Sequence, residues 1–287
     1  MGPPTCSLYL IGVGDRRPHR GRRHRHRHGC ERFRRGGLSM RLQRLAGIHH
    51  DSSCIVVSGR KATCIIDPGT SWYQVNLLER LKPHLEDRPP VASILLSHRH
   101  FDTCGAAPYL ASELGANIRI HSDAIAPLAG ADLFTTWASR YGSDMPSIDA
   151  LALEGGDIIE LGDCELHVLH TPGHTVDSCV FHIPSKHVII CGDLVPAAGH
   201  PVRADMPTGA LIDLKSSLEN VRDLHPRMLV CGRGEAITGQ DQCASVLSLH
   251  IQSVNERIEA KGEIPSGWPK PAETCHWLTP EPAWKID

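Results

Sequence analysis

The chain has 287 residues, of which 41% are hydrophobic and 22% charged, a composition that excludes wholesale disorder and can supply a buried core. No stretch approaches the roughly 18 consecutive apolar residues that a membrane span needs. The formal net charge of −2 combines a segment 1–39 at +8 with a body 40–287 at −10. Such an acidic body argues against a nucleic-acid-binding groove, which requires Lys and Arg.

The composition of the chain changes at about Met40. Residues 20–37 consist mainly of Arg, His and Gly, so we expect segment 1–39 to be a disordered tail or an over-extended start. Residues 40–287 are expected to form a single domain. Its proline-rich end is predicted to be an irregular tail from about residue 262.

The cysteine pattern bears on the cellular compartment. Eleven cysteines occur without a Cys-x-x-Cys pair, and several, such as Cys64 and Cys191, lie inside apolar runs. Buried free thiols behave as small hydrophobic residues, which indicates a reducing interior rather than a disulfide framework. The short N-terminal apolar stretch precedes the positive charges instead of following them, unlike a secretory signal. We therefore predict a cytoplasmic location.

Strands and helices alternate from Met40 onward. In chain order we predict a strand hairpin at 54–58 and 62–66, a helix at 72–84, a buried strand at 91–97, a helix at 106–114, a strand at 118–121 and a helix at 132–141. Four strands follow at 158–161, 165–170, 178–183 and 187–191, and then a helix at 214–224, a strand at 228–231 and a long helix at 240–259. This alternation favours a layered α/β architecture with sheet inside and helices outside.

A first group of chemically active side chains follows the strand at 91–97. His98 and His100 are two residues apart, and Asp102 lies two residues further on. These three side chains cannot share one face of a helix, but in a tight turn they can converge on one cation. Neutral imidazoles suit zinc or iron, so the loop is a candidate metal site.

Three further loops that follow strands carry polar residues. A Pro-Gly turn after the strand at 165–170 presents His174. Asp193 ends a buried apolar strand, where an unpaired carboxylate is costly and calls for a metal or another cation. Arg233 lies between two glycines after the strand at 228–231.

These four loops, in this order, resemble those of the metallo-β-lactamase superfamily, which includes class B β-lactamases, glyoxalase II, lactonases and persulfide dioxygenases. The turn Asp67-Pro68-Gly69-Thr70 looks like the early strand-and-turn signature of that family. The resemblance extends from Met40 to about Glu259. It implies a four-layer αβ/βα sandwich with metals at one edge of the two sheets.

The resemblance also implies a first metal site. Carried over residue by residue, it takes His98, His100 and His174 as ligands, with Asp193 bridging to a second metal. All four residues are present.

The second metal site of the family is incomplete in this chain. That site would use Asp102, the residue after it and a late histidine, but Thr103 and Arg233 stand at the last two positions. We expect Arg233 to point into the site and pair with Asp102, because a guanidinium restores the missing positive charge in a geometry suited to carboxylates. One metal per chain is expected, with zinc favoured over iron or manganese.

Three more residues are candidates on weaker grounds. Asp67 resembles a residue that supports the ligands. His170 is expected to pack beside them rather than to bind metal. His200 lies in the loop after Asp193, where many members of the family place substrate-contacting residues.

These residues predict a hydrolase acting on the ester, thioester or lactam-type carbonyl of a small molecule. A metal with an open position lowers the pKa of its bound water to about 7. Asp193 would orient that water or accept its proton, and Arg233 together with the metal would stabilise the oxyanion. Asp193, Asp102 and Arg233 are thus the predicted catalytic residues.

Two alternatives remain open. A mononuclear iron enzyme of the persulfide dioxygenase type would use His98, His174 and Asp193 as its ligands. A degenerate member of the family would bind a metal or ligand without turnover, since loss of ligands at the second site is how such a hydrolase would decay. No membrane partner is expected, and the sequence leaves the oligomeric state and the substrate open.

Overall fold

A computed structural model of the chain describes residues 6–9, 39–196 and 200–268. Thirteen strands in this part of the chain form two sheets. The seven-stranded sheet contains, in spatial order, β1 (Cys6–Tyr9), β2 (Arg41–Leu45), β3 (Cys54–Ser58), β4 (Thr63–Ile66), β5 (Val91–Leu95), β6 (Asn117–His121) and β7 (Leu151–Leu153). Its first four strands are antiparallel, and β4 to β7 are parallel.

The second sheet has six strands. Its spatial order is β13 (Ile237–Thr238), β12 (Met228–Cys231), β11 (Val188–Gly192), β10 (Cys179–Ile183), β9 (Glu165–His170) and β8 (Ile158–Glu160). Only β11 and β12 pair in parallel among these neighbours, and the other pairs are antiparallel.

Six α-helices connect the strands of the described residues. They are α1 (Gln74–Leu85), α2 (Phe101–Cys104), α3 (Ala107–Leu114), α4 (Ile125–Ala129), α5 (Leu211–Asp223) and α6 (Gln240–Glu259). Gly115, with a φ of 64°, ends α3 in the left-handed conformation that glycine adopts without strain. Short 3₁₀ turns lie at Ser71–Tyr73, Ser122–Ala124, Ala138–Tyr141 and Pro184–Lys186.

Three layers of buried apolar side chains lie between the helices and the two sheets. Successive residues of β3 point in opposite directions, so Ile55 and Val57 face the second sheet while Cys54 and Val56 face α1 and α3. In the second sheet, Ile190 faces the first sheet, whereas other strand residues face α5 and α6. The order helix, sheet, sheet, helix confirms the predicted αβ/βα sandwich.

The predicted helix at 132–141 is wrong. Asp132 accepts hydrogen bonds from the backbone amides of Phe134 and Thr135, which holds the chain in a turn. Trp137 then adopts a left-handed φ of 63°, and only the single 3₁₀ turn Ala138–Tyr141 follows. The local side-chain hydrogen bonds therefore prevail over the helical spacing of the apolar residues.

The sequence analysis did not predict the strands β1, β2, β7 and β13 or the short helices α2 and α4. Strand β1 lies inside the segment expected to be disordered and pairs with β2 in antiparallel register. The other residues of 1–38 lie outside the described residues, as does most of the expected irregular tail, from residue 269 to the end. Within the described part of the chain, no helix is long and apolar enough to cross a membrane.

Candidate metal centre

The three histidines of the predicted first site meet at one edge of the sandwich. His98 and His100 lie in the loop after β5, and His174 lies in the turn after β9. All three are buried, and their ring centroids are 4.7 to 4.9 Å apart. The structure thus brings together side chains from both sheets.

Asp193, which follows β11, completes this cluster. Its Oδ2 lies 3.8 Å from His98 Nε2 and 3.8 Å from His174 Nε2, and His174 Nε2 lies 3.1 Å from His100 Nδ1. Ligands bound tetrahedrally at 2.0 to 2.1 Å are about 3.3 Å apart. These three separations lie on either side of this value, so the atoms surround one candidate metal position.

The hydrogen bonds of the cluster leave ligand lone pairs directed at its centre. His174 Nδ1 lies 3.1 Å from the carbonyl oxygen of Arg203, which requires Nδ1–H to be the donor and leaves Nε2 unprotonated. His98 Nδ1 is hydrogen-bonded to Ser97 Oγ at 3.0 Å, whereas His98 Nε2 is buried and has no hydrogen-bond partner among the described residues. An unpaired buried nitrogen is costly, and a metal ion is a partner that would satisfy it.

The three imidazoles are neutral in the folded protein. Burial lowers the pKa of His98 and His100 well below the usual range, and the mutual proximity of the rings lowers it further. Burial also lowers the pKa of His174. Because neutral imidazole is the form that binds metals, this environment suits ligation.

Asp67 supports the loop that carries the histidines. It sits in the turn after β4 with a φ of 54°, and its Oδ1 accepts a hydrogen bond of 2.7 Å from the Ser97 amide. Since Ser97 in turn contacts His98, Asp67 acts on the cluster through one intermediate residue. Burial raises the pKa of Asp67 to about 7.

Arg233 lies inside the same cleft and contacts two carboxylates. Its Nε donates to both oxygens of Asp193 at 3.2 and 3.3 Å, and its Nη2 donates to Asp193 Oδ2 at 3.2 Å and to Asp102 Oδ2. Tyr141 also donates to Asp102 Oδ2, at 2.7 Å. The sequence analysis expected the contact of Arg233 with Asp102, but neither its contact with Asp193 nor the role of Tyr141.

The guanidinium determines the charge state of Asp193. Burial, the largest single effect, would by itself raise the pKa of this carboxyl, but the charge and hydrogen bonds of Arg233 together with the neighbouring His174 and His100 hold the pKa below its ordinary value. Asp193 is therefore an anion at neutral pH, and Arg233 is a permanent cation.

Two glycines allow these loops to approach one another. Gly192 has a φ of 51°, and a Cβ there would lie 2.5 Å from Ser97 Oγ. A Cβ on Gly232 would lie 2.6 Å from the Gly192 carbonyl oxygen and 2.7 Å from Asp193 Oδ1. The Gly-Asp and Gly-Arg pairs seen in the sequence thus reflect close backbone contact between β11 and β12.

A wall of the site comes from residues that the sequence analysis missed. The Trp137 ring lies 5.9 Å from the His100 ring, and the Arg203 guanidinium lies 5.1 Å from the centroid of the Trp137 ring. Arg203 is buried and forms a bidentate ion pair with Asp205. Because 132–141 was predicted to be a helix, nothing in the pattern indicated that Trp137 reaches the histidines.

The remaining candidates lie outside this cluster. His170 is exposed, and its ring stacks on His121 at 4.0 Å. His200 is half-buried and directly follows residues 197–199, which lie outside the described part of the chain. The eight described cysteines, including Cys104 beside the metal loop, are buried and form no disulfide.

Comparisons with known proteins agree with this geometry. Residues 48–233 match the family model described as the metallo-beta-lactamase superfamily. An uncharacterized protein of Aquifex aeolicus is 31% identical over 196 residues, which cover 66% of this chain and 88% of that protein. The hydroxyacylglutathione hydrolase of Cereibacter sphaeroides is 26% identical over 66% of this chain, and the match spans 64% of its own length.

A solved structure shows the same fold. The protein TTHA1623, crystallised in a di-iron-bound form, is 25% identical and superposes with a TM-score of 0.58 over 71% of this chain and 97% of its own. Together with a family match that covers more than half of the chain, the two-sheet sandwich and the histidine loops lead to one assignment. The chain belongs to the metallo-β-lactamase superfamily.

Proposed function

We propose that the protein is a metal-dependent hydrolase that acts on an ester, thioester or lactam-type carbonyl of a small molecule. The observation that carries this proposal is the convergence of three neutral imidazoles and one ionised carboxylate on a single point. In the proposal His98, His100 and His174 hold one divalent metal ion whose fourth position is open to water, and Asp193 lies beside that position. Zinc is favoured because three histidine ligands with an open fourth position are typical of catalytic zinc sites, and iron or manganese are the alternatives.

A single metal per chain follows from the position of Arg233. A second cation next to Asp102 and Asp193 would have to lie close to the guanidinium that already contacts both carboxylates. Two like charges in a buried cleft repel each other strongly. We infer that Arg233 replaces the second metal of the family and neutralises the carboxylates in its place.

Asp193, Arg233 and Asp102 have distinct roles in the proposed reaction. A bound divalent metal supplies a Lewis acid and makes a nucleophile available from water at neutral pH. Asp193, whose pKa is held low by Arg233, is better suited to orient the attacking water than to retain its proton. Arg233, whose Nε and Nη2 already donate to Asp193 and Asp102, contributes its positive charge to stabilising the negative charge that develops on the carbonyl oxygen. Asp102 is a positioning residue. It accepts hydrogen bonds from both Arg233 and Tyr141 and so fixes the position of the guanidinium.

Thioesters are the first substrates to test. Several curated relatives, including that of Cereibacter sphaeroides, are named hydroxyacylglutathione hydrolases, and glutathione esters of hydroxy acids are small thioesters. Esters, lactones and lactams present the same electrophilic carbonyl, so they belong in the same panel.

The experiment combines metal analysis with hydrolysis assays on protein purified without an affinity tag. We expect about one transition metal per chain and turnover of at least one class in a panel of glutathione thioesters, lactones and nitrocefin. His100→Ala should lose both the metal and the activity, whereas His167→Ala, at a half-buried strand position outside the cluster, should retain both. Metal binding without turnover of any substrate would favour the degenerate, non-catalytic alternative.

A second candidate function is a mononuclear iron oxygenase that acts on a persulfide. It is favoured by one specific observation, which is that Asp193 Oδ2 lies 3.8 Å from both His98 Nε2 and His174 Nε2, so that two imidazoles and one carboxylate lie together as in a two-histidine, one-carboxylate iron site. Iron in the purified protein together with oxygen uptake on glutathione persulfide would support this function. Zinc in the protein and no oxygen uptake would exclude it.

A further inference from the structure

A second cluster of metal-binding side chains lies outside the site described above. His121 ends β6 in one sheet, His170 ends β9 in the other, and Asp123 follows His121 in a 3₁₀ turn. One ligand atom from each of the three lies within 4.8 Å of the others. His121 is buried, whereas Asp123 and His170 are exposed, so the cluster opens to solvent. None of the roles proposed above uses these residues together.

The hydrogen bonds of this cluster assign the unprotonated nitrogen of each ring. His170 Nε2 lies 2.8 Å from the Val176 carbonyl oxygen, so it must donate, which leaves the Nδ1 lone pair available. In His121, Nδ1 accepts a long hydrogen bond of 3.3 Å from the Asp123 amide, and Nε2 faces the carboxylate of Glu154 at 3.7 Å. Both rings therefore carry their lone pair on Nδ1.

We propose that His121, Asp123 and His170 form a second divalent-metal site of the zinc class. Asp123 Oδ2 lies 3.5 Å from His121 Nδ1, close to the separation of about 3.3 Å between two ligands of one zinc ion. The Val176 carbonyl accepts a hydrogen bond from the outer nitrogen of His170, which is the arrangement that orients metal-binding histidines in proteins, and the Glu154 carboxylate lies 3.7 Å from the outer nitrogen of His121.

The exposed members of the cluster provide the adjustment that binding requires. The two imidazoles now stack at 4.0 Å with an interplanar angle of 15°, so their lone pairs run parallel instead of converging. Metal binding would require the exposed His170 ring and Asp123 carboxylate to turn toward His121 Nδ1, with water completing the coordination. Because three protein ligands are fewer than a structural zinc site provides, this site should bind more weakly than the buried centre.

Hydrogen bonds connect the proposed site to the loop that carries the buried histidines. Arg99, which separates His98 from His100, donates to the Asp123 carbonyl oxygen at 2.8 Å and to Asp177 at 2.7 Å. A cation that ties the ends of β6 and β9 together would therefore brace the two loops that present the buried histidines.

The test measures zinc uptake by full-length protein whose buried site has first been filled. In equilibrium dialysis at micromolar zinc, wild type should take up one more zinc per chain than His170→Ala or Asp123→Asn. Both variants change exposed side chains, and their affinity for this zinc should fall at least roughly tenfold. His167→Ala is the matched control, because His167 lies on the same strand β9 but contacts Glu165 instead. Any zinc bound by the histidines of segment 1–39 is bound equally by wild type and the three variants, so it does not change the difference in zinc uptake between them.

A second measurement locates the bound zinc. Modification of histidines by diethylpyrocarbonate, mapped by mass spectrometry, should be blocked by zinc at His170 and unchanged at His167. Equal zinc uptake by wild type and His170→Ala, equal loss in His167→Ala, or unprotected His170 would each overturn the proposal. Neither readout depends on enzymatic turnover, so failure of the proposed hydrolase function would leave this test unaffected.

Discussion

Replacing Arg233 by methionine tests whether its guanidinium neutralises the cleft. The substitution keeps an unbranched side chain of similar reach but leaves Asp102 and Asp193, both about 5% exposed or less, without their shared cation. Removing one partner from a buried ion pair costs about 3 to 5 kcal/mol, because the remaining charge stays desolvated. We expect the free energy of unfolding of the metal-free protein to fall by this amount at neutral pH.

The loss should depend on pH in a defined direction. In the native protein the pKa of Asp193 is held below its ordinary value of 3.8, so its stabilising effect is present above that pH and disappears as the pH falls through the native pKa. Without Arg233, burial raises the pKa of Asp193, and the folded variant binds this proton more tightly than the unfolded chain does. The stability of the variant then declines between about pH 4 and pH 7, and the difference from wild type widens.

Urea denaturation in the presence of a chelator, at about pH 5 and about pH 7, measures both effects. Arg44→Met is the matched control, since Arg44 is also buried but pairs with the exposed Glu235, which water can solvate after the change. Arg44→Met should lower the free energy of unfolding by a smaller amount, and this amount should be nearly independent of pH. Added zinc should restore stability to Arg233→Met more than to wild type. A pH-independent loss below about 1 kcal/mol in Arg233→Met would refute the charge argument.

Three further predictions concern the same cleft. Arg233→His alone should not raise the zinc content to two per chain. Arg233→His combined with Thr103→His should, because only the double variant supplies both missing donors. Metal analysis of dialysed protein measures the zinc content of both variants. Gly232→Ala should lower turnover at least roughly tenfold, since its Cβ would lie 2.7 Å from Asp193 Oδ1 and displace that carboxylate. In a competition assay with a chelating dye at about pH 8, where Asp67 is ionised because its pKa is about 7, Asp67→Asn should weaken zinc binding by about 10- to 100-fold, since the Ser97 amide then meets a neutral acceptor instead of a carboxylate.

Each of these predictions has a defined contrary result. Two tightly held zinc ions in the wild-type protein would contradict the replacement of the second metal by Arg233. Gly130→Ala is the control for the glycine variant, because Gly130 lies at the end of α4 with ordinary backbone angles; equal losses in both would indicate a general folding defect. Unchanged zinc affinity in Asp67→Asn would show that the Ser97 contact does not orient His98.

The sequence by itself determined the architecture and the side chains that gather in the buried histidine cluster. Strands and helices with strong periodicity, such as α6 at Gln240–Glu259 and β3 at Cys54–Ser58, were predicted at the observed positions, because burial on one or two faces leaves a clear apolar pattern. The polar residues that end buried strands, His98 and Asp193 among them, were also evident, since a charged or polar group there is costly without a partner.

The tertiary structure alone decided how the cleft is neutralised and what forms its wall. Arg233 contacts Asp193 as well as Asp102, and Tyr141 shares the latter carboxylate, but these residues are separated by up to 131 positions along the chain. The turn that brings Trp137 beside His100 depends on hydrogen bonds of Asp132 that override helical spacing. Sequence periodicity reports which residues are buried. The partners of a buried charge, by contrast, are set by the approach of distant loops, which no local pattern encodes.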